Sequence, residues 1–326
     1  MNRRRGRTVV SDYIGPSWLI GAHAQTIFPA IIQSPAPIGF RRERVDTPDD
    51  DFWDFDWLDS DAPADAPLLI LFHGLEGSSR SHYACAAMYA AKQRDWRGVV
   101  PHFRGCSGEI NRQARAYHMG DYEEIAAMFA AIHARVPTDT PVFAVGVSLG
   151  GSAMLNWLGR AVPDLRAAAA ISAPLDLPSC GKALDSIHGV IYARNFLSTL
   201  KPKSLTIAQN HPEKKLDLLR LQTARTLREF DDYFTAPMHG FADHADYWQR
   251  ASARHWLAKI TTPTLLLNAL NDPLVPFASL PAATETSEAV FLERPAKGGH
   301  AGFPTAGGAK NAWMPKRLLS FFSEYL

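Results

Sequence analysis

The sequence predicts an α/β fold: a mainly parallel sheet flanked by helices, with one helical insertion. Three observations predict it. Apolar runs such as Leu68-Leu69-Ile70-Leu71-Phe72 show no polar alternation, the pattern of a strand buried on both faces of a parallel sheet. Such runs alternate along the chain with helix-forming stretches, which implies right-handed crossovers. Between residues 178 and 261 the rhythm stops and no strand pattern is found. An interval that long inside a compact domain is more often functional than idle.

Taken in order, residues 1–36 carry Pro16, Pro29 and Pro35, with Pro37 just beyond, and little periodicity; they read as an irregular arm over the surface. Residues 41–46 and 51–58 read as a hairpin around Thr47-Pro48-Asp49-Asp50, supplying antiparallel strands at one sheet edge. In its second strand Trp53, Phe55 and Trp57 alternate with Asp54 and Asp56, the period of a half-solvated strand. After Pro63 and Pro67, residues 68–72 form a buried strand ending in His73-Gly74. A helix over 81–93, a strand over 98–103 and a helix over 121–136 follow. The apolar strand Pro141-Val142-Phe143-Ala144-Val145 comes next, then its helix, then strands over 167–172, 264–269 and 289–292. An amphipathic helix over 313–326 closes the chain. Inside the insertion, 216–230 and 247–260 look helical. The organisation expected is an N-terminal arm (1–36), a core (37–177 and 262–326) and a helical cap (178–261). The cap is placed over the C-terminal edge of the sheet, where open α/β sheets bind ligands.

With 326 residues and 46% hydrophobic content, the chain can bury a sizeable core as one domain. A net charge of +1 offers no electrostatic case for nucleic acid. The tip Met1-Asn2-Arg3-Arg4-Arg5-Gly6-Arg7-Thr8 is basic, but Ser11, Asp12, Gly15 and Pro16 interrupt any signal-peptide core. It reads as a solvated tail, with contact to anionic lipid the lesser reading. No 18-residue apolar run suggests a transmembrane helix. Cys85, Cys106 and Cys180 are odd in number and lack metal-ligand spacing, which fits small buried residues in a reducing cytoplasm. No metal-binding motif, dinucleotide fingerprint or P-loop appears, so neither metal nor cofactor is expected.

The chemistry concentrates at Gly146-Val147-Ser148-Leu149-Gly150-Gly151, where an apolar strand runs through Gly-x-Ser-x-Gly into a helix. In that context the motif is a nucleophile elbow. The turn forces the serine into a strained conformation, and flanking glycines make room for the crossing strand and helix. A serine hydroxyl needs a general base, usually His, and an acid that orients it. Downstream, Asp272 lies in Asn271-Asp272-Pro273 after an apolar strand, and His300 lies in Lys297-Gly298-Gly299-His300 after the last strand. The chain order Ser, Asp, His assigns His300 as general base and then acid, and Asp272 as its orienter. Asp176 is the best rival acid; Asp243 and Asp246 are weaker, and Asp-Pro after a strand is also ordinary turn chemistry. His188, His211, His239 and His244 are rival bases, but they fall in the insertion without strand-end context.

Acyl transfer also needs two N–H donors for the oxyanion. One is the amide of Leu149, directly after the serine. The other comes from His73-Gly74-Leu75-Glu76-Gly77-Ser78, with the Leu75 amide nominated. His73 is assigned a loop-bracing role. Arg104, in Arg104-Gly105-Cys106-Ser107-Gly108, is read as paired to a carboxylate rather than facing substrate, and neither Cys106 nor Ser107 sits on an elbow.

These residues resemble the α/β-hydrolase superfamily and, within it, the AB hydrolase 4 (YheT-like) family of predicted esterases. The narrower resemblance rests on Pro16-Ser17-Trp18-Leu19, His23-Ala24-Gln25-Thr26, His73-Gly74-Leu75-Glu76-Gly77-Ser78-Ser79, Phe103-Arg104-Gly105-Cys106-Ser107-Gly108 and Tyr117-His118-Met119-Gly120. In the insertion it rests on Phe230-Asp231-Asp232-Tyr233-Phe234-Thr235-Ala236-Pro237 and His239-Gly240-Phe241. The resemblance implies an α/β-hydrolase fold, a relay of Ser148, Asp272 and His300, and ester hydrolysis without a cofactor. The expectation is a serine carboxylesterase acting on a small-molecule ester of short to medium acyl chain. Thioesters, lactones and lipid esters stay open, because an elbow does not encode the leaving group. A non-catalytic ligand-binding scaffold is the reading from another class.

Overall fold

The computed structural model describes residues 5–326, so the start of the basic tip, residues 1–4, lies outside the described residues. Among the described residues nine strands form one sheet: β1 (Arg7–Val9), β2 (Phe40–Asp46), β3 (Phe52–Leu58), β4 (Leu68–Phe72), β5 (Arg97–Pro101), β6 (Val142–Val147), β7 (Ala167–Ile171), β8 (Thr264–Leu267) and β9 (Val290–Glu293). Their spatial order is β1-β9-β8-β7-β6-β4-β5-β3-β2. The contacts from β5 through β4, β6, β7, β8 and β9 to β1 are parallel, whereas β2 with β3 and β3 with β5 are antiparallel.

The central strands are apolar at every position because each face has its own core. Along β4, Leu68, Ile70 and Phe72 enter one cluster, and Leu69 and Leu71 enter another. In β6, Val142 and Ala144 face the first cluster, and Phe143, Val145 and Val147 the second. This is the period of two expected of a strand with both faces covered. The first cluster is closed by α3 (Tyr122–His133) and α4 (Leu149–Leu158), the second by α2 (His82–Lys92) and α11 (Trp313–Ser323).

Two expectations about the N-terminal arm and the sheet edge are corrected. The N-terminal stretch is not simply irregular: β1 adds a parallel edge strand beside β9, and α1 (Ala22–Ile27) packs under the histidine-bearing loop described below. And β3 is not half-solvated. Asp54 and Asp56 are 1% and 3% exposed, because cross-strand Arg44 and Arg42 each bond their partner aspartate through two nitrogens. Ser79 and His102 add further contacts to Asp56. The alternation was apolar against charged, but the charged side is covered too.

Among the described residues no strand occurs between β7 and β8. The chain there forms α5 (Leu177–Leu184), α6 (Val190–Asn210), α7 (Leu218–Thr223), α8 (Leu227–Phe230), α9 (Ala236–His239) and α10 (His244–Ala251). The stretch expected as one helix over 216–230 breaks into two, because Thr226 starts a new one with a capping box to Glu229. The stretch over 247–260 likewise splits: α10 ends at Ala251 and a 3-10 turn, Ala253–Lys259, follows. The longest helix of this segment, α6, contains Pro202, a residue that reads as a stop in sequence. No described helix is long and apolar enough to cross a membrane.

Candidate active site

Ser148 stands between β6 and α4 at φ 52° and ψ −119°, a strained conformation for a residue with a side chain. Its own amide bonds Ile171 O at 2.8 Å, pinning the turn to β7. Glycine is required on both sides. A Cβ on Gly146 would lie 2.6 Å from Gly150 O, and one on Gly150 would lie 2.4 Å from the carbonyls of Phe72 and His73. Sheet, turn and helix therefore touch through bare backbone, which leaves the hydroxyl standing at the C-terminal edge of the sheet.

The loops after β8 and β9 bring Asp272 and His300 to that hydroxyl. His300 Nε2 is 2.9 Å from Ser148 Oγ, and Nδ1 is 2.9 Å and 3.1 Å from the two carboxylate oxygens of Asp272. A carboxylate only accepts, so Nδ1 carries the proton and Nε2 is left to accept from the serine. Asp272 Oδ1 also accepts the amides of Leu274 and Val275, so the carboxylate is fixed by its own turn.

The imidazole is braced from the far end of the chain, a feature the sequence reading missed. Thr26 Oγ1 accepts the His300 amide at 2.9 Å. Gln25, 1% exposed, uses one oxygen, Oε1, to accept both Gly298 N–H and Asn271 Nδ2–H. One side chain thus ties the histidine loop to the aspartate loop. Gly299, at φ +65°, lets the loop pass so close that a Cβ there would meet Thr26 N at 2.7 Å. Ser172 Oγ accepts the Ala301 amide and anchors the other side. The only sequence trace of this brace was the segment His23-Ala24-Gln25-Thr26, which carries no chemical pattern of its own.

Leu149 and Leu75, the residues whose amides the sequence nominates, both line the cavity at Ser148. Leu149 is the first residue of α4, where N–H groups have no partner within the helix. Gly74 packs against the serine: a Cβ on it would be 3.3 Å from Ser148 Cβ. Its carbonyl accepts from His73 Nδ1 at 2.8 Å and Gly77 N at 2.9 Å. In a trans peptide the N–H points opposite to the carbonyl, so the Leu75 amide faces away from those donors. Leu75, Ser148, Leu149 and His300 line a common cavity.

His73 is a brace: its Nε2 accepts the Phe103 amide, and burial lowers its pKa to about 3, so the ring stays neutral. Arg104 is 6% exposed and bonds Glu124, Asp49 and Asp51 at 2.8, 2.9 and 2.7 Å. Of the rivals, Asp176 caps α5 and Asp243 caps α10, while Asp246 accepts from Ala242 N and Arg250. His211 bonds Arg112 O, His244 bonds Asp232, His188 lies against His23 and His239 against His118. Burial pushes the thiols of Cys106 and Cys180 up to about 12, which keeps them protonated.

The cavity above Ser148 is an open cleft with about 1200 Å3 of non-atom space, part of which is open solvent. Its far wall comes from the helical segment, through Phe196, Leu200, Ile207, Phe230, Phe234 and Trp248.

This architecture is that of a hydrolase, and a family model described as alpha/beta hydrolase fold matches residues 67–306. The chain belongs to that family, and within it to the esterase and lipase type. A protein of Escherichia coli (strain K12) named "Putative esterase YheT" is 35% identical over 97% of this chain and 94% of its own length. Phospholipase ABHD3 of Mus musculus is 30% identical over 90% of this chain and 74% of its own. Monoacylglycerol lipase of Saccharomyces cerevisiae is 28% identical over 79% of this chain and 59% of its own. Among solved structures, the Pyrococcus furiosus esterase Pf2001 superposes with a TM-score of 0.56 at 14% identity, covering 88% of this chain and 93% of that one. A likeness at that identity speaks for the fold alone.

Proposed function

We propose that the chain is a serine carboxylesterase that hydrolyses short- to medium-chain carboxylic esters through an acyl-enzyme. The observation that carries this reading is the relay from Ser148 Oγ to His300 Nε2, and from Nδ1 to Asp272, each link at 2.9 Å. Ser148 attacks the acyl carbonyl while His300 takes its proton at Nε2. The imidazolium so formed faces the Asp272 carboxylate. The amides of Leu149 and Leu75 receive the oxyanion. Collapse expels the alcohol, which leaves with the proton from His300. Water, deprotonated by His300, then attacks the acyl-enzyme and releases the acid, and Ser148 regains its proton. In this reading residues 178–261 act as the cap that shapes the acyl site.

A second reading, lipid esters, is favoured by the apolar far wall of the cavity and by the phospholipase and monoacylglycerol lipase names of two relatives. Thioesters and lactones would use the same relay. Hydrolysis of p-nitrophenyl esters from acetate to palmitate, by wild type and Ser148→Ala side by side, tests both readings. The expected outcome is an optimum at short to medium chains and a loss of at least ~10³-fold in the variant. An optimum at palmitate would move the assignment to lipid esters. Equal turnover by the two proteins would overturn the role of Ser148 and favour a binding scaffold.

A further inference from the structure

The loop that carries the Leu75 amide holds one strained residue that the relay does not use. Glu76 sits at φ 56°, in the left-handed region, although it has a side chain. Directional bonds hold it there. Its amide donates to Tyr117 Oη at 2.8 Å, and the same hydroxyl donates back to Glu76 Oε1 at 2.8 Å. The other carboxylate oxygen, Oε2, is 2.8 Å from Lys203 Nζ. Tyr117 stacks flat on Phe103, whose amide bonds His73, so this end of the clamp belongs to the sheet side. Lys203 does not: it projects from α6, in the segment between β7 and β8. The Glu76 side chain is 9% exposed and that of Lys203 31%, so the ion pair is shielded beyond what a surface pair would be. Leu75, Glu76 and Lys203 all line the cavity above Ser148.

We propose that Lys203 is a positioning residue. Acting through Glu76, it holds the 73–77 loop in the conformation that turns the Leu75 N–H toward Ser148, so that seating α6 completes the oxyanion site. The inference rests on the serine-esterase reading. Without the ammonium, a shielded carboxylate loses its counter-charge, and the relaxation open to it is rotation of the strained Glu76 backbone, which carries the adjoining Leu75 peptide with it. The Leu75 interaction strengthens only as charge develops on the carbonyl oxygen, so its loss lowers kcat and leaves KM for a short ester in place. A packing role for α6 would act on KM for long acyl chains instead.

The test is steady-state hydrolysis of p-nitrophenyl acetate by wild type, Lys203→Met, Lys203→Arg, Glu76→Gln, the Lys203→Met/Glu76→Gln pair and Ser148→Ala. Lys203→Met is expected to lower kcat about tenfold with KM within about twofold, a fraction of the cost of deleting a whole oxyanion donor. Lys203→Arg is expected to recover most of the loss, and the double variant to be no slower than the slower single one. Lys203→Gln serves in place of Lys203→Met if that protein does not fold. Unchanged kcat in Lys203→Met, or a loss that arginine does not repair, overturns the inference. Failure of the underlying reading has a different signature, since Ser148→Ala would then turn over like wild type.

Discussion

The two walls of the cavity are made by opposite means. On the sheet side the groups proposed to react are fixed by directional bonds and by backbone held in sparsely populated conformations. Ser148 stands at φ 52°, His300 is tied through its ring and its amide, and Asp272 accepts two amides of its own turn. On the helical side the wall is mostly side-chain volume from interrupted helices: Phe230 ends α8, a π-helical turn Asp231–Thr235 carries Phe234, and Pro202 interrupts the bonding of α6. Reaction geometry tolerates little displacement, whereas apolar contacts are non-directional and can be exchanged at nearly constant volume. Substitutions on the first wall should therefore act on kcat, and those on the second, Lys203 excepted because it bonds Glu76 of the sheet side, on which substrate fits.

The largest break in that contrast is expected at Gln25, far from the chemistry in sequence. Gln25→Leu removes the oxygen that joins the Asn271 side chain to the Gly298 amide, and so loosens the Asp272 and His300 loops against each other. A fall in kcat of about 10- to 100-fold with KM preserved is expected, the scale of an ångström-sized misplacement. Steady-state kinetics on one short ester would check it, and unchanged kcat would remove Gln25 from the positioning set.

That residue also marks where the sequence stops being legible. Ser148, Asp272 and His300, which the fold brings within hydrogen-bond distance of one another, could be nominated because each sits where a local pattern puts it: an apolar strand into Gly-x-Ser-x-Gly, and two loops directly after apolar strands. Gln25 and Thr26 lie on a six-residue helix whose partners are some 270 positions away, and no periodicity announces such contacts. Asp54 and Asp56 misled for a related reason. Their alternation with aromatics is real, but the arginines of β2 cover the face that alternation assigns to water. In the helical segment the longest helix carries Pro202, which a local pattern reads as a stop, and the break at Thr226 is set by a capping box rather than by hydrophobic period.

A smaller effect, of the opposite kind, is expected on the helical wall. Leu200→Trp adds bulk beside the cavity. Turnover of p-nitrophenyl acetate should stay within about threefold, while kcat/KM for the longest esters falls by roughly tenfold or more, since each methylene in an apolar pocket is worth that order. A uniform loss across all chain lengths would mean that Leu200, like Lys203, acts on the reaction geometry rather than on substrate fit.

The smallest effect is a pH dependence of stability that both walls share. Burial lowers the pKa of His73 to about 3 and of His82 and His239 to about 4, and holds His118 well below the usual imidazole range. The folded chain refuses protons that the unfolded chain takes up near 6.5, so this stability is complete above that pH and drains away as pH falls toward 4. Asp231, raised by burial to about 6, and Asp121, also raised by burial, work the other way over the same range: folded, they keep protons that the unfolded carboxyls release. Four imidazoles against two carboxyls predict a net loss. The urea midpoint should be lower at pH 5 than at pH 7; a higher midpoint would show that the carboxyls prevail.

The central claim is that Ser148 is the one activated nucleophile, and covalent labelling tests it most directly. Folded protein treated with a fluorophosphonate should gain a single adduct by intact mass, mapped by peptide analysis to Ser148, absent in Ser148→Ala and formed far more slowly in His300→Gln. Folded protein in which Ser148 stays unlabelled, or labels as fast without His300 as with it, would contradict the account.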